Sequence, residues 1–143
     1  MSLDHSAFAQ TLVDAMPDAV VYADAQGLIR FWNSGAQRLF GHTANEALGH
    51  SLDIIIPASA RARHWAGYHE TIRTGRTRYA DGQILSVPAL RKDGMRISVE
   101  FTIVPFADTD GRMGGIAAIM RDATARFEEL RALRRELAAL QGR

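Results

Sequence analysis

Cysteine is absent from all 143 residues. Disulfides, thiolate nucleophiles and cysteine-ligated metals are excluded with it. An excess of either charge is missing too: 17 Lys and Arg stand against 16 Asp and Glu, for a formal net charge of +1. A broad nucleic-acid footprint needs a clear basic surplus, and here the only surplus is local, in the arginines of the last twenty residues. Long hydrophobic runs are lacking. None approaches the roughly 18 apolar residues of a membrane span. The opening "MSLDHSAFAQTLVDAMPDAVVYADAQG" has neither the basic n-region nor the apolar h-region of a secretory signal. These absences predict a soluble, cytoplasmic protein with no membrane or nucleic-acid partner. Catalytic signatures are missing as well. There is no G-x-S-x-G, no P-loop, no H-E-x-x-H and no i, i+4 histidine pair, so neither an enzyme nor a zinc site is expected.

What is present reads as one ordinary domain: 47% apolar and 23% charged residues, on a chain long enough to bury a core. Leu3, Ala7, Phe8, Leu12, Val13 and Met16 recur at helical spacing, which predicts an amphipathic helix over Ser2–Met16 that Pro17 ends. "AVVYAD" and "LIRFWN", split by Gln26-Gly27, predict a hairpin over Ala19–Asp24 and Leu28–Asn33. Short helices are predicted over Ser34–Phe40 and Thr43–Leu48, closed by Gly41 and Gly49, and a long one over Ser59–Thr74, stopped by Gly75. Between them "SLDIIIP" turns into the core. Strands are predicted over Arg78–Leu90, Met95–Ala107 and Arg112–Asp122, joined by the Asp-Gly turns of "RKDG" and "DTDG". From Thr124 the chain reads as a last helix. Its Leu130, Leu133, Leu137 and Leu140 are spaced 3, 4, 3. That is an a/d seam too short to persist without a partner helix. The expected fold class is α+β: a five-stranded antiparallel sheet with short helices on one side and flanking N- and C-terminal helices.

Four stretches in this order resemble the PAS family of sensory domains: "ADAQGLIRFWN", "NSGAQRLFGHTANEALGHSL", "RKDGMRISVEFTIVPF" and "IMRDATARFEEL". In the last, Asp122-Ala123-Thr124 stands where the family has D-[IV]-T, with alanine replacing the β-branched residue. The resemblance divides the chain into an N-terminal helix (1–16), a PAS domain (17–123) and a C-terminal signalling or coiled-coil helix (124–143). It implies a sensory or protein-interaction domain with a cleft between the sheet and the long central helix. It does not name a ligand.

The central helix carries "RARHWAGYHETIRTG". At about 100° per residue, Trp65, Tyr68 and Ile72 form one apolar stripe, and His64 and His69 lie on its two flanks, each roughly 70° from its centre. Helical geometry does not choose between the imidazoles. The resemblance does. In the heme-binding PAS oxygen sensors of the rhizobial FixL type, the proximal histidine lies on this helix, after a proline and in an R-x-x-H-like run. Here Pro57 precedes "RARH", and Thr74-Gly75 follows, its glycine eleven residues after His64. His64 is thereby implied as ligand to the iron of heme b, with His69 the weaker candidate. Trp65, Tyr68, Phe101, Ile84 and Leu85 are expected around the group. Where those sensors carry Arg, or related redox sensors Met, this chain has Ile84 or Leu85. An apolar distal wall favours CO or NO over stabilised O2, and equally suits a cleft without heme, with His64 a helix-edge residue. Trp32 and Asn33 allow a second cofactor, noncovalent FAD, with the indole lining the ring and Asn33 bonding its edge. They read equally as a core aromatic and a helix cap. The cysteine of flavin photosensors is absent. Two function classes follow: a ligand sensor, and a ligand-free dimerisation or interaction module. Both expect a homodimer and an output carried by a downstream signalling protein or a fused domain.

Overall fold

A computed structural model describes residues 2–77 and 83–142. The first helix, α1 (His5–Ala15), starts where the Asp4 carboxylate accepts from the Ala7 amide, which satisfies one of the amides a helix start leaves open. A hairpin follows, β1 (Ala19–Asp24) and β2 (Ile29–Trp32), then α2 (Ser34–Phe40) and the short α3 (Ala44–Ala47). Thr43 and Glu46 cap α3 reciprocally. "SLDIIIP" forms a 3-10 turn, Leu52–Ile55, ahead of the long α4 (Ala58–Thr74). Gly41 and Gly75 close α2 and α4 in the left-handed region. Then come β3 (Leu85–Leu90), β4 (Arg96–Ala107), β5 (Met113–Asp122) and α5 (Thr124–Gln141).

The strands form one antiparallel sheet in the order β2-β1-β5-β4-β3. The α+β architecture and its five strands are as expected. The differences are at element ends. The expected strand from Arg78 begins at Leu85; its 78–82 portion lies outside the described residues, and Gln83 and Ile84 precede the strand.

Period-2 alternation sends Ile97, Val99 and Phe101 of β4 to the inner face with Ala19, Val21 and Ala23 of β1. Phe40 and Ile29 are fully buried there, each burial contributing about 1.5–3 kcal/mol. The outer face is apolar at one end, where Tyr22 meets Phe106 edge-on at 5.9 Å. The two terminal helices stand apart from this core: α1 and α5 bury no residue at all. No described helix is long and apolar enough to cross a membrane.

Candidate functional site

The site is built on α4 and the turn beneath it. Asp24 organises that turn, accepting from the amides of Gln26 and Leu28, both at 3.0 Å, and from Arg30 Nε at 2.8 Å. Burial pushes the Asp24 carboxyl up, but the Arg30 bond and the two amides together outweigh it and hold the group below its usual range. At the tip sits Gly27, with φ at +79°, where an added Cβ would lie 2.2 Å from the Trp65 indole. Only glycine allows both that backbone and that approach.

Trp65 lies on this glycine and donates Nε1–H to Asp53 Oδ1 at 2.7 Å. Arg61, one turn earlier, donates to the carbonyls of Ile56 and Asp53 at 3.1 and 3.3 Å. Tyr68 is buried, and its hydroxyl donates to the carbonyls of Asp24 at 2.6 Å and Ala23 at 3.1 Å. Burial, followed by the nearby Asp24 and Tyr22, pushes its pKa up, so the phenol stays protonated. Side-chain tips thus pin α4 to the 3-10 turn and to the end of β1.

His64 is half-buried beside these anchors. Its ring meets Trp65 edge-on at 4.6 Å and lies tilted against Tyr68 at 5.7 Å. Its Nδ1 is buried and has no hydrogen-bond partner among the described residues. Burial lowers its pKa, His69 adds to the effect, and Asp53 opposes it. The imidazole is therefore neutral at pH 7, with a lone pair to give. His69 is exposed and stacks on Trp65 at 5.7 Å.

The remaining expected residues divide. Leu85 and Phe101 are partners across β3 and β4, both half-buried on the inner face. Ile84 is 65% exposed. It precedes the edge strand, close to the residues outside the described range. Trp32 donates Nε1–H to the His42 carbonyl at 2.9 Å and packs on Phe40. Asn33 has nothing left for a ring edge. Its Oδ1 accepts from the Val20 and Ala36 amides, and its Nδ2 donates to the Val13 and Asp18 carbonyls. Trp32 and Asn33 hold α1, β1 and α2 together, as a core aromatic and a helix cap, the structural reading that the sequence offered beside the flavin one.

Among the described residues no three His, Asp or Glu side chains converge on a metal. Heme needs only one protein ligand on the proximal side. A neutral imidazole with an orphaned, buried nitrogen fits that need. Leaving such a nitrogen unpaired costs free energy, and no described group offsets it.

The output end is equally specific. Asp122 Oδ1 accepts from the Thr124 amide at 2.9 Å and the Thr124 hydroxyl at 2.6 Å. The Thr124 oxygen in turn accepts from the Ser98 amide at 3.1 Å, and the Ala123 amide donates to the Ser98 carbonyl at 2.8 Å. Glu100, on the outer face, pairs with Arg126. Sequence reading finds Asp122 and Thr124. It misses Asp53, Ser98 and Arg126, whose partners lie far along the chain and leave no local signal.

Comparison with known proteins agrees with this fold. A family model described as PAS fold matches residues 13–128. An uncharacterized protein of Azorhizobium caulinodans is 33% identical over 130 residues, 88% of this chain and 17% of its own length. Sensor protein FixL of Bradyrhizobium diazoefficiens is 30% identical over 94 residues, 66% of this chain and 18% of its own. Oxygen sensor protein DosP of Escherichia coli is 26% identical over 101 residues, 71% and 12%. The chain therefore spans less than a fifth of each of these relatives. Among solved structures, a PAS domain from Colwellia psychrerythraea superposes with a TM-score of 0.74 at 24% identity, covering 85% of this chain and 99% of that one.

Proposed function

The chain belongs to the PAS-fold family of sensory and signal-transduction domains, and on that premise we propose that its inner cleft takes heme b through His64 and passes occupancy to a partner through α5. The role is sensory and not catalytic. The observation that carries the heme reading is the buried, unpartnered Nδ1 of a neutral His64. Similarity to two sensor proteins, one an oxygen sensor by name, supports it.

Heme, if held by His64, would supply an iron able to take a diatomic gas. The chain's own residues do the rest. His64 gives the lone pair. Trp65 and Tyr68 pack against its ring and against each other, and the Asp53 bond keeps Trp65 in place. Leu85 and Phe101 offer no donor to a bound gas, which favours CO and NO over O2. A shift of β4 or β5 reaches α5 through Ser98, Asp122 and Thr124. This is a population shift that needs different ligand affinity for the two states.

The test is absorption of protein expressed with a heme precursor. A Soret band at near one heme per chain, lost in His64→Ala with the circular dichroism unchanged, is expected. A band that survives the substitution, or a wild type that takes up no hemin, overturns the assignment.

A second reading is favoured by a separate observation. Leu130, Leu133, Leu137 and Leu140 are 46–64% exposed along one seam of α5. A ligand-free module that pairs through this seam would be colourless and dimeric.

A further inference from the structure

A concavity lies away from α4, where the chain enters and leaves the sheet. It has a volume of about 260 Å3 and is lined by Pro17, Asp18, Gly35, Arg38, Arg91 and Arg121, among others. Its floor is tight: a Cβ on Gly35 would lie 2.1 Å from the Asp18 carbonyl oxygen and 2.8 Å from that of Pro17. The linker between α1 and β1 is thus pressed directly on α2.

The charges around it do not cancel. Arg121 is paired with Asp18 at 3.0 Å. Asp122, also in the lining, is turned to Thr124. Arg38 and Arg91 meet only neutral oxygens, donating to the Met16 carbonyl at 3.3 Å and the Leu39 carbonyl at 2.7 Å. Among the described residues neither has a carboxylate partner. A guanidinium presents five donors in a fixed fork, so each keeps most of its donors and its whole charge.

We propose that this cleft binds a small dianion, a phosphate or a short dicarboxylate, between the forks of Arg38 and Arg91. Planar forks match the paired oxygens of both groups. The volume lies below the roughly 300–1,000 Å3 of drug-sized pockets, which suits an ion of a few heavy atoms. The small volume leaves no room for an extended acidic peptide, so a free small anion is the occupant. Its place has a consequence. The cleft touches Pro17 and Asp18, where α1 joins, and Arg121 and Asp122, where α5 departs. Occupancy ties the two helical arms to one another independently of the α4 cleft.

The test is an NMR titration of the labelled protein with inorganic phosphate and, separately, succinate, at constant ionic strength held with chloride. Saturable shifts at Gly35 and at the Arg38 and Arg91 Nε–H signals are expected. Arg38→Gln and Arg91→Lys should each weaken binding about tenfold, while His64→Ala leaves it unchanged. Saturation by one probe and not the other identifies the anion. Shifts that fail to saturate by about 20 mM overturn the proposal. So do shifts that persist in both arginine variants. If Arg91→Lys loses its circular dichroism, Arg38→Gln decides alone, since that side chain is exposed and makes one long carbonyl bond.

Discussion

Helices α2 and α4 lie in the same domain and are held in opposite ways. α2 has 7 residues, buries Gly35, Ala36 and Phe40, and is capped at both ends, by the Asn33 side chain and by Gly41. α4 has 17 residues, buries only Tyr68 and Thr71, and has no side-chain cap at its start. The short helix is fixed by packing. The long one is fixed at points: Arg61, Trp65 and Tyr68, each through a polar tip. Packing falls off steeply with displacement, whereas a few hydrogen bonds can exchange partners. The contrast teaches that the domain keeps its rigidity on the α2 side and its adjustable element beside the candidate ligand histidine.

Four substitutions break or sharpen that contrast. The largest effect is expected for Asn33→Ala. It strands two amides and two carbonyls and removes the α2 cap, and should cost about 3 kcal/mol, read from urea unfolding. A loss under about 1 kcal/mol would mean that α2 does not depend on this side chain.

Tyr68→Phe comes next, at about 1–2 kcal/mol for the lost hydroxyl. Its sharper signature is local. Hydrogen exchange should quicken along α4 and leave α2 unchanged; equal quickening of both would erase the distinction between them.

His64 supplies the third. Its folded pKa is depressed by burial, so between that value and the unfolded value of about 6.5 the unfolded chain binds more protons. Stability is full above that range and is lost as pH falls through it toward the folded pKa. His64→Gln should remove this step from a comparison of urea midpoints at pH 7.5 and 5.5. Glu46, held at about 2 by Lys92 and by the Thr43 amide, acts lower, so its loss between about pH 4 and 2 does not obscure the step.

The smallest effect on stability belongs to Leu133→Glu, within about 0.5 kcal/mol because the residue is exposed. If two chains pair through this seam, it should nevertheless move sedimentation from dimer toward monomer, and an unchanged profile would mean that the seam carries no such contact.

The contrast between the helices also marks what can be read from the residues alone. α2 is legible to the residue because its signals are local: Asn33 before it, Gly41 after it, apolar spacing between. The Asp-Gly turns reveal the hairpins for the same reason. At α4 the stripe of Trp65 and Tyr68 is legible, but its anchors are not. Asp53 lies twelve residues from Trp65, and the carbonyls that hold Tyr68 lie more than forty residues away. Neither separation leaves a periodic trace. Ile84 is exposed because it lies ahead of β3, where strand alternation no longer directs its side chain. The Asn33 side chain reads as a cap in the sequence, while its reach to Val13 and Asp18 is visible only in three dimensions.

The knot of Asp122, Thr124 and Ser98 has one more consequence. It leaves no slack between β4, β5 and the first turn of α5, so the helix moves as a stiff boom rooted in the sheet. Its 18 residues span about 27 Å. A tilt of about 5° at the root therefore carries the far tip through about 2 Å. That is a large fraction of the roughly 5–6 Å between neighbouring side chains on a helix surface.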